Sequence, residues 1–397
     1  MLTLASPCPV CASPKIIAVL EIPAVPVDTC RMWSSKTRAH SAEKAPLVLS
    51  YCANCSHVFN RTYDPKLTEL ARYEEEYENS QMFSPRFRQY AKEQSDRLIE
   101  TYHLRRKRIV EIGGGQGDFL RILCDRGDNL GVSFGPSYKP AAGDDIPAKL
   151  RFVTDYYTPK YANEPADLIV CRHVLEHFSK PRELITTVRE AVGDRHNVAV
   201  YFEVPNGEFI LGQQVCWEFI YQHCSYFTKK SLVTLFAECG FQVRDVQEGF
   251  GGQFLIIEAS TAPGTVAAEE DDVAGRDQTA ALCEAIGPAF DASMARWSDY
   301  LEQQRARGRR IIVWGAGAKA VTFLNIVDPT GSIIAHVVDV NPRKAGRFIG
   351  GSGHEIVEPS AIRELRPEVV ILMNPLYRTE VGSALHARDL DPELVLA

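Results

Sequence analysis

Four cysteines arranged as two short knuckles lie near the start of the chain, CPVC at 8–11 and CANC at 52–55. Each knuckle turns two thiolates toward one point, and two knuckles complete a tetrahedral zinc site. Cys8, Cys11, Cys52 and Cys55 are therefore expected to hold one zinc ion. Four thiolates leave no open coordination position, so this metal is expected to be structural and not catalytic. The competing reading is a nucleic-acid-binding ribbon, but the interval between the knuckles is not notably basic. A second reactive group is His223 in YQHCSYF (221–227), set among tyrosines, a glutamine and a cysteine. An imidazole titrates near neutrality and can take a proton from a substrate. A histidine among aromatics also serves as an ordinary packing residue, and the stretch alone does not separate the two.

These groups need a scaffold. RIVEIGGG (108–115) is a short apolar run ending in glycines, and GDFLRILCDRG (117–127) carries apolar residues at helical spacing. Together they predict a strand, a glycine turn and a helix, the opening of a doubly wound α/β sheet. Apolar strands are expected at 129–134, 150–155, 166–173 and 197–205, with a helix at 181–193 and another at 229–240 stopped by glycine. Two further strands, joined through GFGG at 249–252, read as a closing hairpin. Residues 64–104 are charged and helical in pattern. The small, acidic stretch 260–276 reads as a linker, followed by a long helix to about 307. A second strand–glycine–helix unit begins at 309–325, continues through 333–341 and ends near 368–375. The expected domains are a zinc-binding module at 1–65, a doubly wound domain at 66–260 and a Rossmann-like domain at 276–397.

Composition bounds the function. The 397 residues suffice for two or three domains, and 45% hydrophobic with 24% charged residues is ordinary globular material. A net charge of -7 and a pI near 5.9 argue against a broad nucleic-acid-binding surface. The longest apolar runs fall short of the roughly 20 residues that span a bilayer, and the first residues lack the pattern of a secretory signal. Eleven cysteines, an odd number, do not suggest a disulfide framework. Reduced thiols in the cytoplasm, some bound to metal, are expected, with neither a nucleic acid nor a membrane as partner.

The glycines at 113, 114, 115 and 117 permit close approach of a ligand to the backbone, and the following helix offers its N-terminus. Glu111 at the strand end, together with HVLEH at 173–177, resembles class I S-adenosylmethionine (SAM)-dependent methyltransferases. That resemblance implies SAM as cofactor over Gly113, Gly115 and Gly117. It places Glu111 toward the methionine amino group, Asp155 toward the adenine, and His173 among the cofactor-binding residues. The order of zinc knuckles, methyltransferase core and C-terminal α/β domain further resembles the sugar C-methyltransferases, over nearly the full chain. The shared segments include EYENS (76–80), EVPN (203–206), YQHCSYF and VWGAGAKA (313–320). The family methylates a carbon beside a ketone in nucleotide-linked deoxysugars. The resemblance makes His223 the base that removes the alpha proton, and Gln222 stands at the position of its neighbouring catalytic glutamate. Tyr221, Tyr77 and His177 become candidates to stabilise the enolate oxygen. For Tyr221 and Tyr226, aromatic packing is the competing reading.

The C-terminal glycine turn and Asp339 look at first like half of a nicotinamide-dinucleotide site. The resemblance implies instead that this domain binds the nucleotide part of the substrate, with Lys319, Asn341 and Arg343 facing phosphates. The chain departs from the family twice. Gly135 stands where an acid normally binds both ribose hydroxyls, removing two charge-assisted hydrogen bonds of about 1.5–3 kcal/mol each. Gln222 replaces a glutamate and cannot raise the histidine's basicity as a carboxylate would. Three functions follow: C-methylation of a nucleotide-linked keto-sugar; O- or N-methylation, or epimerisation, of a similar substrate; or binding without catalysis.

Overall fold

A computed structural model describes residues 7–69, 77–140, 146–263 and 273–397. Most of the expected linker, 264–272, and Glu76 of the EYENS segment lie outside these residues. The N-terminal part holds β1 (Ile16–Pro26), β2 (Met32–Trp33), β3 (Lys44–Cys52) and β4 (Val58–Asn60). Strand β1 pairs antiparallel with β3, and β3 with β4. One face of this sheet supplies Leu20, Ile22, Leu47 and Leu49 to a buried cluster, as alternation along a half-buried strand dictates.

Within the charged segment expected to be helical over 64–104, Pro65–Glu69 forms a short helix and residues 70–76 lie outside the described residues. A helix runs from Pro85 to Thr101, capped by the Ser84 hydroxyl, and Tyr77–Ser84 is irregular. The core sheet then begins with β5 (Arg108–Ile112), β6 (Leu130–Phe134), β7 (Leu150–Val153), β8 (Leu168–Arg172) and β9 (Ala199–Pro205). After the two-residue β10 (Ser225–Tyr226) it closes with the hairpin β11 (Gln242–Gly249) and β12 (Phe254–Ser260). The strand order is β11-β12-β9-β8-β5-β6-β7, with β5 to β9 parallel and the hairpin antiparallel. This mixed α/β sheet is a class I methyltransferase core. Its central strands read as continuous apolar runs because helices cover both faces.

A long helix, Val273–Ala306, leads to a five-stranded parallel sheet. Its strands are β13 (Ile311–Trp314), β14 (Ile334–Val338), β16 (Ile356–Val357), β17 (Val369–Leu372) and β18 (Glu393–Leu396). The remaining strand, β15 (Phe348–Ile349), leaves this sheet and pairs with β2, matching Phe348 to Trp33. Strand β10 likewise leaves the core and becomes the fourth strand of the N-terminal sheet, pairing Ser225 with Phe59 and Tyr226 with Val58. No helix among the described residues is long and apolar enough to cross a membrane.

Candidate active site and metal centre

The two cysteine knuckles fold as matching turns. The amide of Ala12 donates to the Cys8 carbonyl and that of Ser56 to the Cys52 carbonyl, each at 2.9 Å. The amides of Cys8 and Cys52 donate in turn to the carbonyls of Ser13 and His57. Ala12 and Ser56, which directly follow Cys11 and Cys55, both take positive φ, 56° and 60°. One sulfur of each cysteine lies within 4.8 Å of the others. The Cys8–Cys55 and Cys11–Cys52 sulfurs are 3.6 Å apart, and all four thiols are free of disulfides. Sulfurs about 2.3 Å from a tetrahedral zinc stand about 3.8 Å from one another, so this cluster fits the ion.

The core glycine turn sits at the C-terminal end of β5. Gly113, Gly115 and Gly117 have φ of 73°, 57° and 76°, conformations that side-chain-bearing residues rarely adopt. A Cβ on Gly115 would meet nothing within 4 Å, so a ligand can approach the backbone there. On Gly114 it would lie 1.8 Å from the Glu111 carboxylate, which is buried directly beneath the turn. Glu111 accepts a hydrogen bond from Ser133 at 3.0 Å, and burial pushes its pKa up to about 7. Gly135 follows β6, and a Cβ there would stand 3.6 Å from the Cα of Gly113, so the missing ribose acid would have stood beside the turn. Asp155 follows β7. It pairs with Lys160 and accepts from the Tyr161 hydroxyl at 2.8 Å, which together hold its pKa below the ordinary value. The turn, a buried acid and a helix N-terminus fit a SAM-binding fold.

A cavity of about 310 Å³ opens between the N-terminal segment, the core and the C-terminal domain. Tyr77, His173, His177 and His223 all line it, as does Glu176, which the sequence reading did not single out. The rings of His177 and His223 meet edge-on with centroids 5.0 Å apart. Nδ1 of His177 donates to the Gln222 carbonyl at 3.0 Å. Although an edge of the His223 ring reaches the cavity, the protein packed around it, and His173 next, push its pKa down to about 3. Burial raises Glu176 to about 8, with Glu203 adding repulsion.

Other predicted residues lie elsewhere. Tyr221 points away from the cavity: its hydroxyl donates to the Thr62 carbonyl and accepts from the Asp64 amide. Gln222 is buried, and its side-chain oxygen accepts from the Thr29 amide and hydroxyl, each at 3.2 Å. Its side chain thus ties the stretch to the N-terminal segment, while its backbone carbonyl holds His177. Tyr226 closes on the Ile220 backbone.

The sequence reading also missed what anchors His173, which adopts a positive φ of 53°. Its Nε2 lies 2.8 Å from a carboxylate oxygen of Glu203. Glu203 further accepts from Arg172 at 2.7 Å, Tyr90 at 2.6 Å and Tyr201 at 3.0 Å. Burial opposes its charge, but Arg172 and then His173 hold its pKa well below the carboxylate range. A signal was present: an arginine and a glutamate close two apolar runs, and adjacent parallel strands place them side by side.

On the opposite wall, the C-terminal glycine turn leads into the helix Ala318–Val327. Lys319 pairs with Glu218 of the core at 2.5 Å. Asp339 accepts from the amides of Ala316 and Asn341, and the buried Lys344 ammonium lies 3.3 Å from it. Lys319 and Asn341 line the cavity. Arg343 instead pairs with Glu78 and stacks over Phe83.

Comparison with known proteins gives the class. Residues 79–246 match the methyltransferase domain family, and residues 265–395 match the C-methyltransferase C-terminal domain. The chain thus carries a methyltransferase domain followed by a C-methyltransferase C-terminal domain, each matched over less than half of its length. Among solved structures it is similar to the N,N-8-amino-8-demethyl-D-riboflavin dimethyltransferase of Streptomyces davawensis. Identity is 20% over 44% of this chain and 55% of that one, with a TM-score of 0.36. It is also similar to the cyclopropane synthase MmaA2 of Mycobacterium tuberculosis, at 17% identity over 39% and 62% of the two chains, TM-score 0.32. The chain thus spans somewhat over half the length of these proteins. None of the curated proteins matches it by sequence.

Proposed function

We propose that this enzyme methylates a carbon beside the ketone of a nucleotide-linked deoxysugar, by base-catalysed enolate formation followed by methyl transfer. The observation that supports this best is the His177–His223 pair on the wall of a cavity whose other wall is the C-terminal glycine turn. In this reading residues 1–65 form the zinc module, 66–260 the methyltransferase domain and 276–397 the substrate-binding domain. When bound, SAM supplies an electrophilic methyl group, and Glu111, Asp155, His173 and the three glycines would hold it. His223, half-buried on the cavity wall and held uncharged by the protein packed around it, takes the alpha proton. His177, fixed by the Gln222 carbonyl, and the Tyr77 hydroxyl stabilise the oxygen as charge develops on it. Lys319 and Asn341 face the nucleotide.

The test is incubation with keto-sugar nucleotides in heavy water, with and without SAM. Deuterium should enter the carbon beside the ketone, and a methyl group should follow when SAM is present. His223→Ala should lower exchange by about 10²–10⁴, the usual cost of losing a general base, while leaving SAM binding nearly intact. Undiminished exchange in that variant would return His223 to a packing role. Gly135 favours a second reading, proton exchange without methyl transfer, because the ribose-binding acid is missing. Exchange that SAM never converts to methylation would establish it.

A further inference from the structure

We propose that Glu176, His177 and His223 form a second metal site, in the cavity, for a divalent first-row ion such as zinc or cobalt. One donor atom from each of the three lies within 4.8 Å of the others. Two imidazole nitrogens and a carboxylate oxygen form the donor set that such ions accept while keeping coordination positions open. This is the opposite of the cysteine cluster, whose four sulfurs close their ion off.

Three features make this more than proximity. The Glu176 side chain is buried, 1% exposed, and its Oε2 has no hydrogen-bond partner. A buried carboxyl without a partner is costly to ionise, and a cation beside it offsets that cost. The protein does not supply one. Arg172 is committed to Glu203, and the Nδ1 of His173 stands 4.0 Å away. Second, His177 is oriented as metal-bound histidines are. A carbonyl oxygen only accepts, so the bond to Gln222 fixes the proton on Nδ1 and the lone pair on Nε2. Third, Nδ1 of His223 is buried without a hydrogen bond. Donor atoms around a four-coordinate zinc at about 2.0–2.1 Å stand about 3.4 Å apart, so a triad whose donors lie within 4.8 Å of one another closes by at most about 1.4 Å on binding.

Because all three residues line the cavity, a bound ion would meet the methyl acceptor. The functional consequence rests on the proposed reaction. A ring nitrogen that ligates an ion has no lone pair for a proton, so a loaded cavity lacks the base assigned to His223. Metal loading should therefore suppress proton exchange, and a chelator that spares the cysteine site should restore it.

The test uses the whole protein carrying zinc on its cysteines, titrated with cobalt(II) and followed by visible absorption. One equivalent should bind and give the weak bands of nitrogen- and oxygen-ligated cobalt, without the intense thiolate-to-cobalt absorption. Glu176→Gln should weaken cobalt binding roughly tenfold or more, while zinc content and SAM binding are kept. His223→Ala serves as a second variant and should do the same if Glu176→Gln fails to retain its zinc. No saturable signal, a thiolate band alone, or wild-type affinity in a folded variant would each overturn the proposal. The spectra need no sugar substrate, so failure of the sugar reading leaves this result standing, and failure here leaves the exchange assay intact.

Discussion

Glu111, which is buried, and His223, which is half-buried, both have surroundings that favour the uncharged form, with opposite consequences. For His223 the shift to about 3 keeps the imidazole neutral across the physiological range. Its proton-accepting nitrogen is then available at all ordinary pH values, but as a weak base, which a nearby carboxylate would correct. Gln222 supplies none. For Glu111 the folded pKa of about 7 stands above the ordinary 4.5. The folded chain therefore holds a proton that the unfolded chain has released, and cofactor-free stability should fall as pH rises from 4.5 to 7, levelling off above. An ammonium group beside Glu111 draws out the charged form. SAM affinity should accordingly rise about tenfold between pH 6 and 8, following the ionised fraction of a group with this pKa. Glu111→Gln should flatten the dependence and weaken binding at pH 8. Calorimetric titration at several pH values checks both, and an equally steep profile in Glu111→Gln would assign the effect elsewhere.

At the scale of elements, the short strand β10 joins the zinc module to the chemistry. It pairs with β4, which lies just beyond the CANC knuckle, and the Asn60 amide donates to the carbonyl of Cys224. The side chain of Asn60 donates to the Tyr221 carbonyl, and the Thr228 hydroxyl to that of Ser56. His223 lies between these attachments. Cys52→Ser should therefore do two things together. It should lower zinc content from about one per chain and destabilise the fold, since a structural zinc supplies folding energy directly. It should also depress proton exchange, because β4 no longer fixes β10. Metal analysis, thermal melting and the exchange assay measure these effects. Full exchange in a zinc-free, equally stable variant would show that the module and the site are uncoupled.

Across the whole molecule, one buried cluster unites the N-terminal sheet, the segment around Trp217 and Tyr221, the long helix and the C-terminal sheet. The β2–β15 pairing and the Lys319–Glu218 ion pair add direct links around the cavity. Lys319 is 19% exposed and faces the cavity where a phosphate is proposed to lie. Lys319→Ala should raise KM for the sugar nucleotide about tenfold, the equivalent of one charge-assisted hydrogen bond, with kcat and SAM affinity little changed. Steady-state kinetics with each substrate varied in turn tests this. A loss confined to kcat would instead point to disturbed packing between the walls.

Much of this was legible in the sequence because it depends on spacing over a few residues. Two CxxC knuckles can turn only so many ways, so Cys8, Cys11, Cys52 and Cys55 announce a metal site wherever the chain carries them. The glycines after β5 and the apolar runs of the parallel strands are local patterns of the same kind. What spacing did not determine is which side chains face one another across long separations. Tyr221 and His223 are two positions apart, yet the pairing of β10 with a strand far earlier in the chain sends one to Thr62 and leaves the other on the cavity. A strand of two residues has no periodicity to read, so its direction was decided by its partner. Glu176 was hidden for a related reason. Within HVLEH every residue has the same local setting, and only the short 3-10 turn Leu175–His177, packed under β10, buries this carboxylate beside two histidines. The sequence by itself determined the classes of chemistry available here. Tertiary packing decided which groups meet, because burial and distance are properties of the assembled core.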